Sequence, residues 1–113
     1  MEEFIKVAEI FEISEGKMKA VKIGEKEILI ANVGGKYYAI GNKCTHRGGD
    51  LSKGSLSRKI VTCPVHGFKF DVTTGEVAYA PFEVKFLKLI KPEPTYEVKV
   101  EGKDIMLRKS QLE

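Results

Sequence analysis

The sequence predicts an all-β fold, an antiparallel sandwich or small barrel, and three observations carry that prediction. Short runs rich in β-branched and aromatic residues recur between turns that contain glycine. Near the C-terminus Tyr96, Val98 and Val100 alternate with Glu97, Lys99 and Glu101, a period of two that turns apolar side chains to one face. No stretch shows the 3.6-residue period of an amphipathic helix, and there is no internal repeat or low-complexity tract.

The elements follow in order. Residues 4–8 mix Phe4, Ile5 and Val7 with Lys6 and predict a first strand, and residues 9–14 predict a turn or short helical piece before Glu15-Gly16. Residues 18–23 and 27–33 predict two strands separated by the Gly24-Glu25-Lys26 turn. Val33-Gly34-Gly35-Lys36 reads as a hairpin turn feeding a strand over 37–40. It is not a phosphate-binding loop, because no Gly-Lys-Ser/Thr and no helix follow. A first loop over 41–50 leads through 51–56 to a short strand at 59–62. A second loop then gives way to a strand over 68–72 and a tight Thr73-Thr74-Gly75 turn with Gly75 at positive φ. Residues 82–94 carry many apolar positions and predict an extra strand or core-covering loop in preference to a partner-docking flap, ended by Pro92 and Pro94. After the alternating run, Gly102-Lys103 turns the chain toward Ile105 and Leu107.

The chemistry lies in the two loops. They read Cys44-Thr45-His46-Arg47-Gly48-Gly49-Asp50-Leu51 and Cys63-Pro64-Val65-His66-Gly67-Phe68, a C-x-H and a C-x-x-H separated by residues 47–62. These are the only two cysteines and the only two histidines among the 113 residues. Thiolate with imidazole suits zinc, copper or iron–sulfur centres, whereas Mg²⁺ and Ca²⁺ require oxygen ligands. A zinc finger of the usual kind places both cysteines in one knuckle and both histidines in the other. Here each loop carries one of each, which allows both thiolates on one metal and both imidazoles on a second. That is the ligand set of a [2Fe–2S] cluster in which two histidines replace two cysteines on one iron. A structural zinc site used for protein interaction is the competing reading. A Cys44–Cys63 disulfide is a weaker one, since it leaves the paired histidines unexplained.

At these residues the chain resembles the Rieske-type ferredoxins. The likeness covers His46-Arg47-Gly48-Gly49-Asp50-Leu51 and Cys63-Pro64-x-His66-Gly67-Phe68-x-Phe70-Asp71, with weaker strand and turn spacing over most of the chain. It implies Cys44 and Cys63 on an inner iron and His46 and His66 on an outer, more exposed one. It also implies a Rieske fold across a single domain, residues 1–113. A β-sandwich base formed by 1–41 and 71–113 would carry a smaller, rubredoxin-like cluster-binding subdomain at about 42–70. With neutral imidazoles the oxidised centre sums to zero formal charge, so an electron is accepted more readily than by an all-cysteine cluster; the class spans roughly −150 to +300 mV. High-potential members carry an extra cysteine in each loop, forming a bridge, and a serine and a tyrosine bonded to cluster sulfurs. The aligned positions here are Gly49, Val65, Phe68 and Phe70, which implies the low-potential, ferredoxin-like end.

The implied function is one-electron transfer in solution, from an NAD(P)H-dependent flavoprotein reductase to a terminal oxygenase or similar acceptor. A Rieske oxygenase in its own right is excluded by counting: its catalytic iron requires two more histidines and a carboxylate, and both histidines are committed. No nicotinamide or flavin motif is present either, so the chain is expected to turn over no substrate of its own. A small subunit of a larger redox enzyme, of the nitrite reductase type, is the alternative. Lys43, Arg47, Lys53 and Lys69 lie near the ligands in sequence and offer steering toward an acidic partner, though an ordinary solvated surface is the preferred account of them. Net charge is only +3, with no basic stripe for nucleic acid. The acidic start, Met1-Glu2-Glu3, lacks an apolar region behind it, and no run approaches the roughly 20 apolar residues that span a bilayer. A cytoplasmic monomer without a membrane anchor is the expectation.

Overall fold

The computed structural model describes residues 3–44, 49–65, 67–79 and 91–112. Among them there is no α-helix, only strands and single 3₁₀ turns. Three antiparallel sheets hold the strands. The first has the order β1 (Phe4–Glu9), β11 (Asp104–Arg108), β10 (Val98–Glu101). The second runs β2 (Met18–Ile23), β3 (Lys26–Val33), β4 (Lys36–Gly41), β9 (Thr95–Tyr96). The third runs β5 (Ser55–Ser57), β6 (Ile60–Thr62), β7 (Lys69–Asp71), β8 (Val77–Tyr79).

The second sheet is the middle layer, and β3 explains why. Its Ile28-Leu29-Ile30-Ala31 run is fully buried, as expected for a strand covered on both faces. Ile28 and Ile30 point into one core with Ala8, Ile13, Ala39, Ile105 and Leu107. Leu29 and Ala31 point into the other, with Ile40, Leu51, Val61, Phe68, Phe70, Val72 and both cysteines. One strand therefore anchors two hydrophobic cores, and the all-β sandwich base (first and second sheets) carries the third sheet on its far face.

Turn chemistry sets the registers. Val33 pairs with Lys36 across Gly34 and Gly35, whose φ values of 62° and 93° are those of a type I′ hairpin. Between residues 9 and 14 the predicted short helical piece is a 3₁₀ turn, Ile10–Glu12, in which the Glu12 carboxylate accepts the Glu9 N–H at 2.8 Å.

Three features differ from the sequence reading. The connection predicted over 51–56 contains a 3₁₀ turn, Leu51–Lys53, followed by strand β5. Strand β8 was not anticipated either. Each of these three-residue strands sends a single apolar side chain, Leu56 or Val77, against the core, too few to display a period. The alternating run near the C-terminus is also not one strand. Tyr96 pairs with Ala39 in the middle sheet while Val98 pairs with Leu107 in the first, so the chain changes sheet at Glu97. Tyr96 and Val98 still pack against the same core, whereas Val100 is exposed. Of the 82–94 segment, residues 82–90 lie outside the described residues.

Candidate metal centre

Loop one leaves the end of β4 at Gly41. Lys43 and Asp50 form an isolated antiparallel bridge across its neck. Within the neck the Cys44 N–H donates to the Gly49 carbonyl at 2.7 Å. Loop two leaves β6 at Thr62 and enters β7 at Lys69, and there the Cys63 N–H donates to the Phe68 carbonyl, also at 2.7 Å. In each loop, then, the cysteine amide closes onto the carbonyl five residues ahead. The two loops share one local design although their sequences share little more than Cys, His and Gly. His46 and His66 fall inside the closed spans in sequence, and both lie outside the described residues, as does Arg47.

The loops touch through glycine. A Cβ added to Gly49 would sit 3.1 Å from the Cys63 Sγ and 2.5 Å from a methyl of Val65. At Gly54 it would sit 1.8 Å from the Thr62 carbonyl oxygen, closer than any real contact. These two absent side chains let the stretch after loop one lie against β6 and bring Gly49 to the face of the second thiol.

Both thiols are inside the protein. Cys44 is 3% exposed and Cys63 2%, in one core with Leu51, Val61, Phe68 and Phe70. No disulfide joins them. Two buried sulfur donors at the necks of paired, backbone-closed loops, with Gly49 setting no side chain against the Cys63 sulfur, fit a thiolate-ligated cluster. They do not fit a hard, oxygen-seeking cation.

Two features escaped the sequence reading. Asn42, 1% exposed, lies two residues before Cys44 and gathers both sides of loop one. Its N–H donates to the Glu27 carbonyl on β3 at 3.0 Å, its carbonyl accepts the Leu51 N–H at 2.8 Å, and its Oδ1 accepts the Ser52 N–H at 2.9 Å. Nothing in the residue type signalled this; only the return of the chain beside β4 creates it. The second is the packing of residues 91–94 beneath the loop. The Glu93 N–H donates to the Gly75 carbonyl at 2.7 Å, and the Gly41 N–H donates to the Pro94 carbonyl at 3.0 Å. Gly75 does adopt the expected positive φ, 79°, and the close approach of the Glu93 backbone leaves no room there for a side chain.

Among the described residues, Lys43, Lys53 and Lys69 near the loops are engaged locally. Lys43 lies 2.5 Å from Asp50 and 3.6 Å from Glu27, and Lys53 lies 3.5 Å from Asp50. The Lys43 hydrogen bond, aided by Lys53, holds the Asp50 carboxyl below its usual range despite some opposing desolvation, and the Asp50 hydrogen bond raises Lys43. Lys69 donates to the Thr62 hydroxyl at 2.9 Å.

The family model described as Rieske [2Fe-2S] domain matches residues 3–97. The ferredoxin component of a naphthalene 1,2-dioxygenase system from Pseudomonas aeruginosa is 35% identical over 94% of this chain and 95% of its own length. A ferredoxin component of naphthalene 1,2-dioxygenase/salicylate 5-hydroxylase systems from Ralstonia sp is 37% identical over 93% and 94%. Among solved structures, a chain from the complex of reduced oxygenase and oxidized ferredoxin in carbazole 1,9a-dioxygenase superposes with a TM-score of 0.81. It is 28% identical and covers 93% of this chain and 92% of its own.

Proposed function

This chain belongs to the Rieske [2Fe–2S] domain family, and on that premise we propose that it carries single electrons to a terminal oxygenase. The observation that carries this reading is the near end-to-end match with ferredoxin components, 94% of this chain against 95% of the relative. It favours a stand-alone carrier over a subunit built into a larger redox enzyme. The family's cluster takes two cysteine and two histidine ligands. We assign them to Cys44 and Cys63, whose buried thiols support the choice, and to His46 and His66, the only histidines in the chain. When bound, the cluster supplies a one-electron couple within roughly −150 to +300 mV.

The protein's own part is to hold and insulate. The two amide-to-carbonyl closures fix each cysteine at the base of its loop, and Phe68 and Phe70 keep water from the inner side. Substrate turnover lies with the partner, because both histidines are taken up as ligands and none remains for a catalytic iron. The donor in this reading is an NAD(P)H-dependent flavoprotein reductase and the protein is a cytoplasmic monomer. No helix among the described residues is long and apolar enough to cross a membrane. Residues 1–113 act as one domain, with a cluster-bearing unit at about 42–70 on a base of 1–41 and 71–113. The two cores that meet at β3 support that division, and β8 extends the upper sheet beyond it.

The test is a visible and EPR spectrum of anaerobically purified protein before and after dithionite. A red-brown sample that gains, on reduction, a rhombic or axial signal with average g well below the free-electron value is expected. Cys44→Ser, Cys63→Ser, His46→Ala and His66→Ala should each abolish that signal. The reduced protein should then pass its electron to an aromatic-ring dioxygenase component, and NAD(P)H with a flavoprotein reductase should reduce it again. A colourless sample with stoichiometric zinc would overturn the assignment.

A further inference from the structure

We propose that Asn42 is the positioning residue of loop one, setting the placement of Cys44 toward the cluster. This inference rests on the family reading above and concerns a residue that is not itself a ligand. Asn42 is 1% exposed, and such a buried polar side chain persists only where its hydrogen bonds are met. Its three bonds run in three directions. The amide donates down to Glu27 on the middle strand, the carbonyl receives Leu51, and the side-chain Oδ1 receives Ser52. Loop one departs from Asn42 and returns at Leu51 and Ser52, so one residue grips both ends of an eight-residue excursion spanning 43–50. The Lys43–Asp50 bridge and the Cys44-to-Gly49 hydrogen bond lie just above that grip. The backbone bonds of Asn42 survive any substitution other than proline; the Ser52 bond depends on the side chain alone. Ser52 N–H belongs to the first turn of the 3₁₀ segment Leu51–Lys53, where no backbone carbonyl of that turn reaches it.

A second buried asparagine supplies the control. Asn32, 5% exposed, also staples backbone through its side chain: its Nδ2 donates to the Ile13 carbonyl at 2.9 Å and its Oδ1 accepts the Gly35 N–H at 2.9 Å. It does so at the opposite end of β3, beside the Gly34-Gly35 hairpin. Loss of Asn32 should lower stability without reaching the ligand loops.

The experiment compares Asn42→Ala, Asn42→Asp and Asn32→Ala in the cluster-loaded protein, reading EPR g-values, midpoint potential, thermal midpoint and the rate of cluster loss to a chelator. For Asn42→Ala, altered g-values and cluster loss about tenfold faster are expected, the change that corresponds to about 1.4 kcal/mol. Asn42→Asp retains an acceptor for Ser52, so its g-values and loss rate should remain those of the parent while the added charge lowers the potential. Asn32→Ala should lower the thermal midpoint alone. Parent-like g-values and loss rate in Asn42→Ala, or equal acceleration in Asn42→Ala and Asn32→Ala, would overturn the proposal. If Asn42→Ala fails to accumulate, Asn42→Asp decides: parent-like g-values and loss rate support the acceptor role, and altered ones exclude it. A parent protein that never holds a cluster defeats the family assignment instead, a result recognisable before any variant is made.

Discussion

At the scale of single residues, the tightest glycine constraint among the described residues falls on Gly54. Its missing side chain leaves room for the Thr62 carbonyl oxygen, which would otherwise lie 1.8 Å from a Cβ. An alanine there forces either the 3₁₀ turn Leu51–Lys53 or the edge of β6 to shift. Both flank a ligand loop. Gly54→Ala is therefore expected to cost about 3 kcal/mol or more, lowering the thermal midpoint by at least about 10 °C. Differential scanning of the loaded protein measures it, and a midpoint within a degree or two of the parent would show that the contact relaxes freely. Nothing around Gly54 in the sequence announces this, because the partner is a backbone oxygen eight residues away. The cysteines and histidines are the opposite case. Their residue types point to metal chemistry wherever the chain places them, which is why the sequence alone could propose all four.

At the scale of elements, the paired loops and the β7–β8 turn each give a prediction. The Cβ position at Gly49 lies 3.3 Å from the Val65 Cβ, close to the roughly 3.5–4.5 Å that a disulfide spans. In the double variant Gly49→Cys/Val65→Cys the clashing valine methyls are gone. An oxidised bridge should form beside the ligands, detectable as two fewer alkylatable thiols before reduction than after, with a higher thermal midpoint when oxidised. Equal alkylation before and after reduction would show that the loops sit farther apart. In the turn after β7, the Asp71 carboxylate accepts the Thr73 N–H at 2.8 Å and the Thr73 hydroxyl at 2.6 Å, with Lys59 3.4 Å away. Desolvation is the largest single influence on this carboxyl and acts to raise it, but the Thr73 bonds and Lys59 together outweigh it and hold the group below its ordinary value. A carboxyl depressed in the folded state contributes stability above its unfolded pKa of about 4, and that contribution is lost as pH falls through the folded value. Replacing Asp71 with Asn should accordingly lower the thermal midpoint near neutrality, and the gap to the parent should close as pH drops from about 5 toward about 3. A gap that stays constant over that range would show the carboxylate's charge to be irrelevant there.

At the scale of the whole molecule, three stacked sheets enclose two cores and put both thiols in the one between the second and third sheets. Phe68 and Phe70, fully buried and without hydroxyls, form the apolar wall behind them, and no disulfide links the loops at Gly49 and Val65. Lacking those hydrogen-bond donors and that bridge, the protein should have its midpoint potential below about +100 mV, in the lower part of the range for the class. Protein-film voltammetry gives the value directly, and a midpoint above that limit would mean that donors from elsewhere in the chain reach the sulfurs. Lys43 and Lys53 converge on Asp50, and Lys69 turns to Thr62. Of the cations counted near the ligands in sequence, these three described lysines are thus spent largely on their own neighbours, which weakens their part in long-range steering of a partner.

The sequence by itself determined the all-β class, the hairpins at Gly34-Gly35 and Gly102-Lys103, and the two Cys/His pairs proposed as ligands. These follow from local periodicity, from backbone preferences of a few adjacent residues and from the chemistry of side chains. Only the tertiary structure decided that β3 serves two cores, that the C-terminal run changes sheets at Glu97, and that β5 and β8 exist. It alone revealed Asn42, Gly49 and Gly54 as the residues that close and join the ligand loops. Each of those depends on a contact between separate segments, some adjacent in the chain and some distant along it. A pairing of that kind is selected by the burial of the whole core, and the residues that make it carry no local sign of it.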